Sequence, residues 1–452
     1  MARHGRRRFL DCRSASATGG RLSKTAGSVL IVGSGPVGAA MALALSARGH
    51  AVTLLDRDAE TPRSDIDAWG RWPRRSVPQF RQVHSFSASA TAFLRSELPE
   101  VWLDLLSHGA RDQAVEPSLG DGSTVLRCRR VIVEMTLRRH LREAGVGIIA
   151  GVAVQAGAAG QHGHVCVSLA DRARMSAQVV LDCSGRRSRL HKRRLVHHVA
   201  LDYMTGWFRA RAGVVPVSGV RSEHSGQRIV VTAADGPWFS ATIIRPTSSA
   251  RADLTRAAFD KALLRDASVS EVLSGCRAEA VGVPLHAGRL LDSLATRMLN
   301  KTPPRVLPLG DAALTTNPMY ARGVGLGLAQ GRMFLSELDG SSGVEEAIPR
   351  MWPRLRALTT GWFRESAAHD ALLVARSRSE AGAEAEAEVT LPETDRELLQ
   401  SSRRRMEDRA MAQVATNDLA RKAYLQYLNT TASPDTLERI ARGALPLEGQ
   451  TQ

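Results

Sequence analysis

The chain has 452 residues, of which 43% are hydrophobic and 4% are aromatic. This length and apolar content predict a globular protein of two or three substructures and exclude a wholly disordered chain. The formal net charge of +16 suggests nucleic acid or an anionic surface as a partner, but residues 1–24 alone hold seven basic residues against one aspartate. We interpret residues 1–27 as a basic, disordered tail and expect no nucleic-acid partner.

Membrane insertion, export and metal binding find little support. No window approaches the roughly 20 apolar residues of a membrane-spanning helix, so we expect no transmembrane segment and a cytoplasmic location. Arg6-Arg7-Arg8 resembles the start of a twin-arginine signal, but polar and small residues follow it instead of an apolar run. The five cysteines are dispersed without a C-x-x-C pair. We therefore predict neither a disulfide framework nor a metal site.

The order of predicted elements indicates an α/β fold. A buried strand at 28–32, a helix from Val37 to Arg48 and a strand at 51–55 form a β-α-β unit. From about 200 to 285 the pattern changes to alternating strands, which is typical of an inserted antiparallel sheet. We predict a tail at 1–27, a Rossmann-type nucleotide-binding domain in two parts at 28–199 and 286–345, a substrate-binding β-sheet domain at 200–285, and a helical C-terminal region at 346–452 with an acidic connection near 380–388.

The segment from Gly33 to Gly38 fits the G-x-G-x-x-G fingerprint of dinucleotide-binding folds, directly after a strand and opening a helix. Gly33 permits the tight turn, Gly35 lets the backbone approach a pyrophosphate, and Gly38 lets the helix pack on the strand. Pro36 and Val37 lie at the helix N-terminus, where the backbone amides favour negative charge. The segment predicts a pyrophosphate site.

An acidic residue follows the fingerprint at the expected place. Asp56 ends the second strand eighteen residues after Gly38, where a carboxylate accepts hydrogen bonds from the ribose of an adenine dinucleotide. Capping of a helix or turn is the alternative role for Asp56. Arg57 is interpreted either as a phosphate or adenine contact or as a solvated charge.

Three further motifs and a fourth segment carry a resemblance to one superfamily. The motifs are Asp182-Cys183-Ser184-Gly185-Arg186-Arg187-Ser188, Gly310-Asp311-Ala312-Ala313 with Asn317-Pro318 and Gly323, and Arg130-Val131-Ile132-Val133-Glu134 with Arg138. With the glycine fingerprint they resemble FAD-dependent monooxygenases of the para-hydroxybenzoate-hydroxylase-like superfamily. The segment Val77–His84 is similar to that of the bacterial flavoprotein epoxidases and hydroxylases related to polyether epoxidases and styrene monooxygenases. The chain departs from the family pattern at Phe80 and at Ala321-Arg322, where the family has glycine and Gly-Gln.

The resemblance implies FAD as cofactor and assigns further residues to it. Asp311 is expected to accept a hydrogen bond from a ribityl hydroxyl, and the turn from Pro318 to Gly325 to offer backbone amides to the flavin pyrimidine edge. This adds Gly310, Asp311, Pro318, Gly323, Val324 and Gly325 to the predicted cofactor site. Arg130 either reaches the ribityl or phosphate groups or forms an ion pair with Glu134.

Two side chains have open interpretations. His84 is a candidate proton donor beside the flavin or a structural histidine. Arg322 either adds positive charge near the isoalloxazine ring or points to solvent. We assign no other catalytic residue.

The implied activity is insertion of one oxygen atom from O2 into a hydrophobic small molecule, by hydroxylation or epoxidation through a flavin C4a-(hydro)peroxide, with natural-product tailoring as the expected setting. Because only one dinucleotide fingerprint is present, NADH or NADPH either docks transiently at the flavin or acts through a separate flavin reductase. The alternatives are a flavin-dependent halogenase or isoprenoid reductase/dehydrogenase, and a binding protein without turnover. The halogenase signature W-x-W-x-I-P is missing from the sequence. The oligomeric state is not specified.

Overall fold

The computed structural model describes residues 9–11, 27–59, 69–70, 72, 74–115, 122–159, 164–171, 173–211, 213–216, 218–224, 227–247, 255–380 and 393–445. Most of the predicted basic tail and of the acidic connection lies outside these residues. Within the predicted tail, Phe9–Asp11 forms a short strand that pairs in parallel with residues 174–176. At least this part of the tail is ordered.

The described residues form both strands and helices. The strands are β1 (Phe9–Asp11), β2 (Ser28–Val32), β3 (Ala51–Asp56), β4 (Ser85–Phe86), β5 (Arg111–Ala114), β6 (Thr124–Arg127), β7 (Gly147–Ala150), β8 (Val154–Ala159), β9 (Val165–Leu169), β10 (Arg174–Ala177), β11 (Val179–Asp182), β12 (Arg194–Val199), β13 (Leu201–Ala210), β14 (Gly219–His224), β15 (Gln227–Ala233), β16 (Trp238–Pro246), β17 (Ala278–Ala287), β18 (Leu290–Ala295), β19 (Val306–Pro308) and β20 (Leu314–Thr315). The helices are α1 (Pro36–Ala47), α2 (Ala88–Glu97), α3 (Pro99–Ser107), α4 (Arg130–Glu143), α5 (Arg256–Arg265), α6 (Ala267–Gly275), α7 (Arg322–Asp339), α8 (Val344–Glu380), α9 (Glu393–Thr416), α10 (Asp418–Leu428) and α11 (Thr436–Ala441).

A parallel sheet of five strands, ordered β19-β11-β2-β3-β7, forms the nucleotide-binding part of the fold. Its central strand β2 is fully buried at Leu30 and Ile31, as expected for a parallel sheet covered on both faces. Helix α1 follows β2 directly, and its small residues allow α7 to pack closely beside it. The carboxyl ends of β2, β3, β11 and β19 therefore meet at one edge of the sheet, where ligands bind in such folds.

A five-stranded antiparallel sheet, ordered β14-β15-β16-β13-β17, interrupts the nucleotide-binding fold. Because side chains alternate along a strand, Met204 and Phe208 of β13 lie on one face and Tyr203 and Thr205 on the other. The first face packs against α5 and α6 through Phe259 and neighbouring residues. The second face remains available as a wall for a ligand. The predicted α/β fold with an inserted antiparallel sheet and a helical C-terminal region is confirmed.

The C-terminal helices close one side of the molecule. The long helix α8 packs against α7 and β18, and α9 packs against α8, α10 and α11. Trp362 of α8 and Tyr427 of α10 are fully buried, with their ring centroids 5.4 Å apart. None of the described helices is long and apolar enough to cross a lipid bilayer.

Candidate cofactor and substrate site

One cavity of about 1040 Å³ lies between the parallel sheet, the antiparallel sheet and the C-terminal helices. All but two of the predicted cofactor residues line it, and so does His84: the lining set is Gly33, Gly35, Pro36, Val37, Asp56, Arg57, Arg130, Gly310, Asp311, Pro318, Gly323 and Val324. The remaining two, Gly38 and Gly325, lie behind the wall and serve packing. The structure thus brings together residues that span almost 300 positions of the sequence.

The three glycines of the fingerprint have different surroundings. Gly33 has φ +102°, and a Cβ there would lie 2.4 Å from the carbonyl oxygen of Cys183. A Cβ on Gly38 would lie 1.9 Å from the carbonyl oxygen of Gly33. At Gly35 the nearest atom to such a Cβ is Nη2 of Arg130, at 3.5 Å. Gly33 and Gly38 are therefore required by the protein's own packing, whereas Gly35 borders open space in the cavity.

Asp56 is held by two arginines in addition to facing the cavity. Its carboxylate accepts hydrogen bonds from Arg74 Nη1 at 2.7 Å, from Arg138 and from the hydroxyl of Ser34. Burial would raise the pKa of Asp56, but the charges of Arg74 and Arg138 outweigh it and keep the pKa below its usual value. The carboxylate is ionised and partly satisfied before any ribose hydroxyl reaches it.

Arg130 forms the ion pair considered for it and also lines the cavity. Its Nε donates to Glu134 at 2.6 Å, while its Nη2 lies on the Gly35 side of the cavity. Its Nη1 lies 3.3 Å from Nε2 of His84, whose Nδ1 lies 2.9 Å from the carbonyl oxygen of Gln82. Because the carbonyl and the guanidinium fix the roles of both ring nitrogens, His84 donates through Nδ1 and accepts through Nε2. Burial and the charge of Arg130 lower the pKa of His84 to about 3, so the ring is neutral.

Asp311 is a carboxylate without a protein donor. None of the described residues donates a hydrogen bond to its side chain, which lines the cavity beside Gly323. Burial raises the pKa of Asp311, although the positive charges of Arg130, Arg194 and Arg186 oppose this shift. An acceptor in this state fits a ligand that brings its own hydroxyl donors.

Comparison with known proteins identifies the ligand class. Residues 26–338 match the family model described as FAD binding domain. The chain belongs to this FAD-binding family. No curated protein sequence matches the chain.

Solved structures share the fold of this FAD-binding protein at low sequence identity. The anhydrotetracycline hydroxylase OxyS from Streptomyces rimosus is 17% identical, with a TM-score of 0.57 over 89% of this chain and 76% of that one. A variant of HpxO from Klebsiella pneumoniae complexed with FAD is 12% identical, with a TM-score of 0.61 over 83% and 94%. CmlS, a flavin-dependent halogenase, is 16% identical, with a TM-score of 0.60 over 90% and 77%. At these identities the likeness shows the fold.

The cavity fits FAD. The open space at Gly35 would accommodate the pyrophosphate beside the N-terminus of α1, with Nη2 of Arg130 facing it. The unpaired Asp311 would accept a ribityl hydroxyl, and Gly323 and Val324 lie where α7 begins. Arg57 is exposed and donates to the carbonyl of Ser76 at 3.4 Å, so it remains either an adenine-side contact or a solvated charge. Among the described residues no group of His, Cys, Asp or Glu side chains is placed to hold a metal ion.

Gly325 is the last residue of the turn from Pro318 to Gly325, named the flavin turn here after its predicted role, and it does not line the cavity. A Cβ on Gly325 would lie 1.9 Å from the hydroxyl of Ser87, and that hydroxyl lies 3.1 Å from the hydroxyl of Thr430. Ala321 directly precedes α7 and has φ +52°, a left-handed conformation that favours the glycine found at this position in the family. The small residues here therefore serve close packing between α7, α2 and the segment after α10.

Arg322 does not point to solvent. It is fully buried, and its guanidinium carbon lies 4.5 Å, 4.7 Å and 4.9 Å from the ring centroids of Tyr320, Trp362 and Tyr427. Arg322 is not among the residues that line the cavity, so its charge stabilises the contact between the flavin turn and the C-terminal helices through cation–π interactions. Phe80, the other departure from the family pattern, is buried against Trp72 at a centroid distance of 5.2 Å.

Asn317 fixes the start of the flavin turn. Its backbone N–H donates to Asp292 at 2.7 Å, its Nδ2 donates to Asp370 at 2.8 Å, and its Oδ1 accepts from the hydroxyl of Tyr203. Burial and the charge of Asp370 raise the pKa of Asp292 to about 9. The Asp292 carboxyl group therefore keeps its proton at neutral pH.

Much of the cavity wall consists of residues that no sequence motif marks. The inner face of the antiparallel sheet contributes Tyr203, Thr205, Arg228, Val230, Thr232, Thr242 and Ile244, and the C-terminal helices contribute His369, Glu407, Asp408, Met411, Tyr424, Leu428 and Leu437. Alternation along β13, β15 and β16 was a usable signal for the first group. The second group has no local signal, because its position depends on how the helices fold back over the sheets.

Proposed function

We propose that this FAD-binding protein is a monooxygenase that inserts one atom of O2 into a hydrophobic small molecule. One observation supports the proposal: the residues predicted to hold the flavin and the inner face of the antiparallel sheet line a single continuous cavity. A substrate against Thr205, Val230 and Ile244 would therefore share an enclosed space with the flavin. When bound and reduced, FAD supplies the electrons and the reaction with O2.

The chain contributes binding, orientation and exclusion of water. Asp311 and Arg130 hold the cofactor, and the turn from Pro318 presents backbone groups to the ring. Met411, Tyr424 and Leu428 of the C-terminal helices cover the cavity with largely apolar groups. Apolar cover of this kind would limit the access of water and so favour the transfer of oxygen to carbon.

We place the protein in the bacterial epoxidase and hydroxylase branch of the superfamily, with natural-product tailoring as its setting. The segment Val77–His84, which resembles a segment of those enzymes, supports this placement. The electron donor is NADH or NADPH. Because the chain has one dinucleotide fingerprint, the donor either docks transiently at the flavin or acts through a separate flavin reductase. Hydroxylation is tested first, since the solved structures of similar fold include an anhydrotetracycline hydroxylase.

Isotope labelling tests the proposal. The FAD-loaded protein is reduced anaerobically with NADPH, NADH or dithionite, mixed with ¹⁸O₂ and a panel of polycyclic aromatic and alkene substrates, and the products are analysed by mass spectrometry. We expect a product that carries one ¹⁸O atom and requires the reduced flavin. A product that carries chlorine and forms only with chloride, or reduction of a substrate without oxygen, would contradict the proposal.

A further inference from the structure

Three histidines line the cavity, and they differ in enclosure and in whether a ring nitrogen is free. His84 has both ring nitrogens engaged, one by the carbonyl of Gln82 and one by Arg130. His286 lies at the boundary with a second cavity of about 340 Å³, with its side chain 39% exposed. Its nearest carboxylate, Asp202, lies 3.8 Å away. Neither histidine combines enclosure with a free nitrogen.

His369 of α8 combines a largely enclosed ring with a free ring nitrogen. Its Nδ1 is buried and lies 3.2 Å from Oε1 of Glu407 on α9. Its Nε2 makes no hydrogen bond with any residue that the structure describes. The ring stands edge-on to Tyr320 of the flavin turn, with 5.1 Å between the centroids. His369 and Tyr320 both line the cavity, so the free nitrogen is available to a ligand there.

Glu407 is held as an ionised carboxylate. Arg403 donates to Glu407 at 2.9 Å and also to Glu365, which accepts a further hydrogen bond from Tyr427. Burial would raise the pKa of Glu407, but the contacts of His369 and Arg403 outweigh it and lower the pKa. A fixed carboxylate beside Nδ1 favours the tautomer with the proton on Nδ1, which leaves Nε2 as the basic atom.

We propose that His369, oriented by Glu407, accepts a proton from an acidic hydroxyl group of the substrate, such as that of a phenol or enol. The proposal rests on the monooxygenase function and extends it to the substrate. In the step, the substrate O–H bond breaks, an Nε2–H bond forms, and the electron pair stays on the substrate oxygen. The resulting oxyanion makes the adjacent carbon a better nucleophile toward an electrophilic oxygen donor.

Other charged and titratable groups share this part of the wall. Arg228 of β15, Asp408 of α9 and Tyr424 of α10 line the same cavity, as does Tyr320. Burial raises the pKa of Tyr424 and of Tyr320, so both remain neutral phenols near pH 7. Within this set, the imidazole of His369 is thus the group that combines an unengaged ring nitrogen with a carboxylate beside its other nitrogen.

An equilibrium titration tests the assignment without turnover. The oxidised, FAD-loaded protein binds 4-nitrophenol, a coloured phenol whose acidity is close to that of imidazole, and the nitrophenolate band is followed from pH 5 to 9 by difference spectroscopy. A protonated His369 stabilises the phenolate, so we expect the band to persist to a pH about one unit lower in the wild type than in His369→Gln. Glu407→Gln should shift the pH dependence of the band in the same direction as His369→Gln but by less. This second variant keeps the test valid if His369→Gln no longer binds FAD.

His286→Gln is the matched control, because His286 lies on the same cavity without the buried carboxylate contact; its titration should follow the wild type. The assignment is overturned if His369→Gln and Glu407→Gln titrate like the wild type, if His286→Gln shows the shift instead, or if 4-nitrophenol does not bind the wild type. Absence of ¹⁸O in any product would refute the monooxygenase function but would leave a positive nitrophenol titration intact. The two failures are therefore distinguishable.

Discussion

Replacing Asp311 with alanine separates a cofactor contact from a structural role, because the residue is half-buried in the cavity wall and its carboxylate accepts no hydrogen bond from the described residues. With FAD bound, it gains a ribityl hydroxyl donor. A hydrogen bond to a charged acceptor contributes about 1.5–3 kcal/mol. Its loss should weaken FAD binding roughly 10- to 150-fold. Excess FAD should then restore part of the activity by mass action.

The same substitution should not destabilise the apoprotein. A half-buried carboxylate without a donor among the described residues adds no hydrogen bond to the fold, so its removal should leave the melting temperature of the apoprotein unchanged or raise it. Asp182 is the matched control: it is equally a carboxylate at the end of a parallel strand, but it accepts hydrogen bonds from Ser184, Ser188 and His191. Asp182→Ala should therefore lower the melting temperature of the apoprotein clearly.

The measurements are FAD affinity, by quenching of flavin fluorescence on titration with apoprotein, and melting temperature with and without FAD. Asp311→Asn keeps an acceptor oxygen and should lose less affinity than Asp311→Ala. The reasoning is refuted if Asp311→Ala binds FAD as tightly as the wild type but forms no product at saturating cofactor, since Asp311 would then act in the chemistry. If Asp311→Ala lowered the stability of the apoprotein as much as Asp182→Ala does, Asp311 would instead accept a hydrogen bond from a group of the protein itself.

Three further changes have defined outcomes. Gly35→Val should abolish FAD retention but leave the apoprotein folded, because the added side chain enters open cavity space; full flavin occupancy would remove Gly35 from the site. Asp56→Ala should lower the unfolding free energy by about 1–3 kcal/mol, since two buried arginines each lose one carboxylate partner while Arg74 keeps Asp58 and Glu134; an unchanged denaturant midpoint would contradict this. With a pKa of about 9 for Asp292, the folded state keeps a proton that the unfolded chain releases near pH 4, so stability falls as pH rises between these values. Asp292→Asn should flatten that decline in a series of melting temperatures.

The fold was predictable where local signals were strong. The strand at Ser28–Val32, the glycine turn and α1 lie where the pattern placed them, because a buried parallel strand and a fingerprint turn have short-range signatures. Helix α4 begins at Arg130 and therefore includes the whole Arg130–Glu134 motif. The β-branched run Val131-Ile132-Val133 is more typical of a strand, and its complete burial in the core overrides that preference.

The site was predictable only in its cofactor half. Motif residues such as Asp311 and Gly35 could be predicted, because a motif is a short stretch of sequence whose residues meet the same ligand. Arg74, which pairs with Asp56 and with Glu134 at 2.9 Å, carries no motif. His369 and Glu407 likewise belong to no motif and lie on two different helices. Their meeting depends on tertiary packing, which hydrophobic periodicity does not specify.

The hydroxyl contact between Ser87 and Thr430 joins positions 343 residues apart. On a ribosome, the strands and glycine turn of the parallel sheet emerge long before α10 and α11 do. During that interval the nucleotide edge of the sheet is accessible from the side that these helices later cover. FAD can thus reach a nascent chain before these helices are in place, so we expect the flavin content of purified protein to rise with riboflavin supply during expression.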